Sequence, residues 1–141
     1  MRYAVFLRAI NLGNHNKMPM KELRVWLEQL GYSSILTYLQ TGNIWLQTKA
    51  AEPESIAQSI ESMLQGQGYS KVCAMVRSEA ELRGLLKVNP FSPSEPGYCY
   101  VTFLRQPSAL VLAEHSKFEL KLARAAEILS HIPKAPLGQS P

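Results

Sequence analysis

Between residues 7 and 20 the chain reads LRAINLGNHNKMPM, which sets Arg8, Asn11, Gly13, Asn14, His15 and Lys17 between an apolar strand pattern and an apolar helix pattern without a single acid. These residue types suit the capture of an anion. A glycine- and asparagine-rich turn can aim successive backbone N–H groups at one point, the helix that follows brings its positive end nearby, and Arg8 and Lys17 add charge. The plainer alternative is that the asparagines satisfy the backbone of a long loop while the cations stay solvated. The stretch is not a phosphate-binding P-loop, because no Gly-Lys-Ser or Gly-Lys-Thr follows a four-residue spacer, and the Gly-x-Gly-x-x-Gly fingerprint is absent. With Asn43 from a later turn, the candidate ligand-binding set is Arg8, Asn11, Gly13, Asn14, His15, Lys17 and Asn43.

Other chemistry is less well supplied. A pairing of His15 with Glu22 would give proton transfer at the same loop, the basis of an alternative reading as an enzyme on a small phosphorylated substrate. Cys73 and Cys99 sit inside apolar strand patterns, where a thiol behaves as a small hydrophobe. Aspartate is absent, and the histidines at 15, 115 and 131 lack the spacing of a zinc pair, so neither a metal nor a cofactor is expected. Fifteen Lys and Arg against eleven acids give a net charge of +4. That mild excess matters less than its placement, since Arg2, Arg8, Lys17 and Lys21 fall in a segment with no acid at all.

The elements that must position these residues follow from periodicity. Residues 2–10, RYAVFLRAI, read as a strand, and Met20, Leu23, Leu27 and Leu30 form a helical stripe, with Pro19 in the first turn and Gly31 just past the end. Residues 35–40 and 44–48 flank Thr41, Gly42 and Asn43 as a hairpin. Ile56, Ile60, Met63 and Leu64 mark a second helix opened by Pro53, VCAMV at 72–76 a further strand, and Ser78 with Glu81 a capping box before a helix carrying Leu82, Leu85 and Leu86. The order βαββαβ is the ferredoxin-like arrangement, with two helices on one face of an antiparallel sheet. Its other face would carry Arg2, Phe6 and Arg8 beside Tyr38, Gln40, Trp45 and Gln47. That face is either a basic, aromatic platform of the kind that stacks nucleic-acid bases or, as the doubly apolar VCAMV favours, a surface covered by a second lobe.

Three prolines punctuate NPFSPSEPG before YCYVTFLR resumes as a strand, and PSALVLAE reads as a short helix. Residues 117–132 fit both a helix and a strand template, and periodicity does not separate them.

The first half of the chain also resembles the domain-of-unknown-function family 1697, a bacterial group. The family's Arg-Gly-Ile-Asn opening corresponds to Arg8, Ala9, Ile10 and Asn11, its Gly- and Lys-containing loop to Gly13 through Lys17, its Met-x-x-Leu-Arg helix to Met20, Leu23 and Arg24, and its Tyr-x-x-Ser-Gly-Asn turn to Tyr38, Thr41, Gly42 and Asn43. VNPF at 88–91 resembles a later segment, and Gly138, Gln139 and Ser140 resemble a Gly-x-Ser element. Ala9 stands where the family pattern has glycine, and the pattern's closing helix and Thr-x-Arg-Asn-Trp segment have no counterpart here. The resemblance implies a duplicated α+β fold and a hairpin over residues 117–132, and brings no activity with it.

The expected fold is therefore α+β, a ferredoxin-like βαββαβ lobe over residues 1–77 followed by a second, incomplete ferredoxin-like lobe over 78–141. The expected function is binding of an anionic small molecule or a nucleic acid through the loop after the first strand. A cytoplasmic setting, no membrane partner, and a C-terminal lobe that either buries its apolar face in a homodimer or is less stable than residues 1–77 complete the expectations.

Overall fold

The computed structural model describes residues 1–11, 17–87, 97–105, 119–124 and 127–133. The chain divides into two compact units, Met1–Arg83 and Gly84–Pro141. The first holds β1 (Arg2–Arg8), α1 (Met20–Gln29), β2 (Ser33–Tyr38), a 3-10 turn (Leu39–Thr41), β3 (Asn43–Gln47), α2 (Pro53–Gly66) and β4 (Cys73–Ser78), and α3 (Glu79–Lys87) starts within it. Its four strands form one sheet in the order β2-β3-β1-β4, with every pairing antiparallel.

Alternation along β1 sends Tyr3, Val5 and Leu7 to one face, where they are almost wholly buried with Ile44 and Leu46 of β3 and Ala74 and Val76 of β4. α1 covers that face with Leu23 and Leu27, and α2 with Ile56, Ala57, Ile60 and Leu64, at the three- and four-residue spacings that stack side chains on one stripe. The stripes expected on α1 and α2 thus face the core, with Met20 and Met63 packed against it only partly buried. Leu30 is the exception at 37% exposure, because α1 ends before it. Gly31, at φ +89, makes that stop: its N–H donates to the Glu28 carbonyl at 2.9 Å and the Tyr32 N–H to the Leu27 carbonyl at 3.2 Å, a closing pair that needs a left-handed residue between them.

The capping box also forms as the sequence implies. The Glu81 N–H donates to Ser78 Oγ at 3.2 Å and the Ser78 N–H to Glu81 Oε2 at 2.7 Å, so α3 turns off the end of β4 at a fixed angle.

Several strand boundaries differ from expectation by a residue or two, and two of them do so for one physical reason. β1 stops at Arg8 rather than residue 10 because Ala9 lies at φ +69, and β2 stops at Tyr38 rather than residue 40 because Leu39 lies at φ +58. A left-handed residue reverses the pleat, so Gln40 leaves the sheet face on which alternation alone would have put it. β2 also carries a register shift between Ser33 and Leu36, with Ser34 at φ +50, and this bulge breaks the regular edge of the sheet.

The second unit contains β5 (Gly97–Phe103), β6 (Glu119–Arg124) and β7 (Glu127–Pro133) in an antiparallel sheet of order β5-β7-β6. β6 and β7 therefore pair antiparallel as the two arms of a hairpin would, with Leu122 opposite Ile128 and Glu119 opposite His131. The strand template prevails over helix propensity because β7 pairs with β5 along its whole length, from Gly97–Pro133 to Phe103–Glu127. The proline-rich linker, the helix expected at PSALVLAE and the C-terminal tail lie outside the described residues. Among the described residues no helix is long and apolar enough to cross a membrane.

Candidate functional site

Antiparallel pairing brings the C-terminal end of β1, the turn before β3 and the start of β4 together at one end of the sheet, with Phe6 opposite Asn43 and Arg8 opposite Cys73. The turn is fastened closely to β1. The Leu7 N–H donates to the Gly42 carbonyl at 3.0 Å, and Gly42 sits at φ +77 so near the strand that a Cβ on it would lie 2.7 Å from Leu7 Cβ and 2.8 Å from Ile10 Cδ1.

Asn11 fastens the next layer. Its Nδ2 donates to the Gln40 carbonyl at 2.7 Å and to the Met18 carbonyl at 3.4 Å, while its Oδ1 accepts the Met18 N–H at 2.7 Å. The side chain behaves as an extra piece of backbone, joining the two ends of the opening loop to each other and to the 3-10 turn. Met18 is 2% exposed, so the entry to α1 is anchored in the core. The Lys17 carbonyl accepts the Tyr69 hydroxyl at 2.7 Å, and the Tyr69 ring lies 6.1 Å from that of Trp26.

The candidate ligand residues are thus distributed as follows. Arg8 and Lys17 are exposed, and neither forms an ion pair among the described residues. Asn43 is half-buried at the start of β3, on the strand face shared by Phe6 and Arg8, and Asn11 braces the loop. Gly13, Asn14 and His15 lie outside the described residues.

Four left-handed residues gather at this end: Ala9 at φ +69, Asn11 at +48, Leu39 at +58 and Gly42 at +77. Asparagine and glycine tolerate the conformation, whereas it costs an alanine or leucine roughly 1–2 kcal/mol. Such strain persists where surrounding structure over-determines the backbone, and it clusters at ligand sites. Ala9 also explains the glycine in the family pattern. Ala9→Gly is expected to stabilise the protein by about 0.5–1 kcal/mol, relief of the left-handed penalty exceeding glycine's added unfolded-state entropy. A urea midpoint that fell instead would show that Ala9 is not strained.

The face away from α1 and α2 carries a second feature that adjoins the first. Ala4 and Phe6 of β1, Leu36 and Tyr38 of β2, Asn43 and Trp45 of β3 and Leu82 of α3 line a cleft of about 530 Å³. Register places Trp45 opposite both Ala4 and Leu36, so the indole sits beside the smallest residue of β1, and Phe6 is its diagonal neighbour. Tyr38 is 71% exposed and Leu36 62%. Arg2, at the other end of β1 from Arg8, holds Trp45 and α3 together: its Cζ lies 5.9 Å from the Trp45 ring centroid, and its Nη2 donates to Glu79 at 2.9 Å. Arg83 donates to the same carboxylate at 2.7 Å, and this bond, with the charge of Arg2, holds the Glu79 pKa below its ordinary value.

The aromatic members of this face were legible in the strand alternation, but Leu36 and Leu82 were not. Leu82 falls on a stripe that reads as core, yet it is half-buried against the cleft while Leu85 is buried and Leu86 is exposed. The signal for Leu36 was present, two residues before Tyr38 on the same strand.

No curated protein sequence matches the chain. A solved structure does: that of a conserved bacterial protein, SP0830, from Streptococcus pneumoniae, with 21% sequence identity and a TM-score of 0.77 over 94% of this chain and 77% of that one. At that identity the likeness is one of fold. The family profile described as protein of unknown function (DUF1697) matches residues 1–128, which include the whole first sheet and the strained corner at Ala9 and Asn11, and the chain belongs to that family.

Proposed function

We propose that the protein binds an anionic ligand, a nucleic acid or a phosphorylated metabolite, through the loop after β1. The observation that carries this reading is the pair of exposed cations, Arg8 and Lys17, set on either side of a loop whose ends Asn11 ties together. Fixing both ends reduces the ordering cost that a ligand would otherwise impose, which is the main way a small site gains affinity. The family to which the chain belongs is itself described only as of unknown function, so the reading rests on geometry.

The architecture we infer behind this site is a ferredoxin-like lobe over residues 1–77, with a second, shorter lobe over 78–141. The order β2-β3-β1-β4 and the placement of α1 and α2 on one face support the first part, and the three-stranded sheet β5-β7-β6 supports the second.

Binding of a labelled single-stranded oligonucleotide, followed by fluorescence anisotropy across a salt series, tests the proposal. Arg8→Ala and Lys17→Ala are each expected to weaken binding and to flatten the log–log salt slope by about 0.7 for each phosphate no longer neutralised. Salt-independent binding, or an unchanged slope in both variants, would contradict the nucleic-acid form.

A further inference from the structure

We infer that the cleft lined by Phe6, Tyr38 and Trp45 takes the planar ring of a nucleotide whose phosphate is held at Arg8. This rests on the anion-binding reading above and names the chemical class of its ligand. The volume, about 530 Å³, lies within the range of small-molecule sites. Its walls are flat as well as apolar: three aromatic side chains with Leu36 and Leu82 surround a β1 floor of Ala4. Such a slot suits a stacked heterocycle, and base stacking on aromatic side chains is tolerant of base identity.

The charge lies at one end of this slot. Phe6 and Arg8 are two residues apart on β1, so their side chains leave the same face about 7 Å from each other. That spacing lets a ribose bridge a ring beside Phe6 to a phosphate at Arg8. At the far end Arg2 is committed to Trp45 and Glu79, so it orients the indole while Arg8 supplies the charge for the ligand. The exposed Tyr38 and Leu36 are the apolar surface that an occupant would cover. A purely aliphatic occupant would have no use for a cation at the rim, and a bare anion none for the aromatic walls.

The chain holds two tryptophans, so Trp26→Phe leaves Trp45 as the reporter. Adenosine 5′-monophosphate, adenosine and inorganic phosphate are titrated into the whole 141-residue chain, with calorimetry in parallel. The monophosphate is expected to quench Trp45 saturably, and phosphate is expected to compete without quenching. Tyr38→Ala, at a site too exposed to affect folding, is expected to weaken the monophosphate about tenfold and leave phosphate binding unchanged. Arg8→Ala is expected to weaken both. If phosphate binds but the monophosphate binds no tighter and leaves Trp45 unquenched, the ring inference is overturned and the anion site stands. If neither binds, both are overturned. A quench indifferent to Arg8→Ala would separate the cleft from the phosphate and refute a nucleotide, as would loss of the quench through concentration-dependent self-association of this face.

Discussion

Gly42→Ala is expected to lower the thermal midpoint by about 10 °C or more. Two costs combine. The left-handed backbone at φ +77 penalises any Cβ by roughly 1–2 kcal/mol, and overpacking adds about 1–3 kcal/mol. Neither is easily relieved. Ile10 Cδ1, 2.8 Å from the new atom, can rotate away, but Leu7 Cβ, at 2.7 Å, is fixed to the central strand of the sheet. Moving the turn outward instead would stretch the bond from the Leu7 N–H to the Gly42 carbonyl. For a domain of this size each kcal/mol shifts the midpoint by about 4–8 °C. A variant that melts with the parent protein would show that the turn does not sit against β1 as described.

The second large effect is expected at Leu27→Ala, with a loss of about 2–5 kcal/mol. Leu27 is fully buried on α1 among the residues that join both helices to the sheet. Its backbone bonds to Leu30 and Tyr32 would survive the change, so the loss would report side-chain burial and the cavity left behind. Urea denaturation should show a lower midpoint at an unchanged slope, whereas an unchanged midpoint would mean that α1 does not cover the sheet through this residue.

What was legible in the sequence was local or periodic. The leucine stripe of α1, the Gly31 stop, the Ser78–Glu81 capping box and the turn at Gly42 each depend on residues within a few positions of one another, and each forms, apart from the exposed Leu30 and the 3-10 turn at Leu39–Thr41. Interactions between distant segments were not legible. Asn11 meets the Gln40 carbonyl across 29 positions and Arg2 meets Glu79 across 77, and no spacing rule anticipates either. Strain was equally hidden: nothing in the composition marks Ala9 or Leu39 as left-handed, although the glycine of the family pattern at Ala9 was a clue. Periodicity alone left residues 117–132 open between helix and strand; the family resemblance pointed to strands, and the physical reason is pairing with β5, a non-local fact.

The most direct measurement of the central claim is a titration of isotopically labelled protein with inorganic phosphate, followed by amide chemical shifts. Saturable shifts concentrated at residues 8–18, with weaker ones at Gly42 and Asn43, are expected, and they should be lost in the Arg8→Ala, Lys17→Ala double variant. Shifts that do not saturate, or that centre on residues away from the C-terminal end of β1, would contradict that claim.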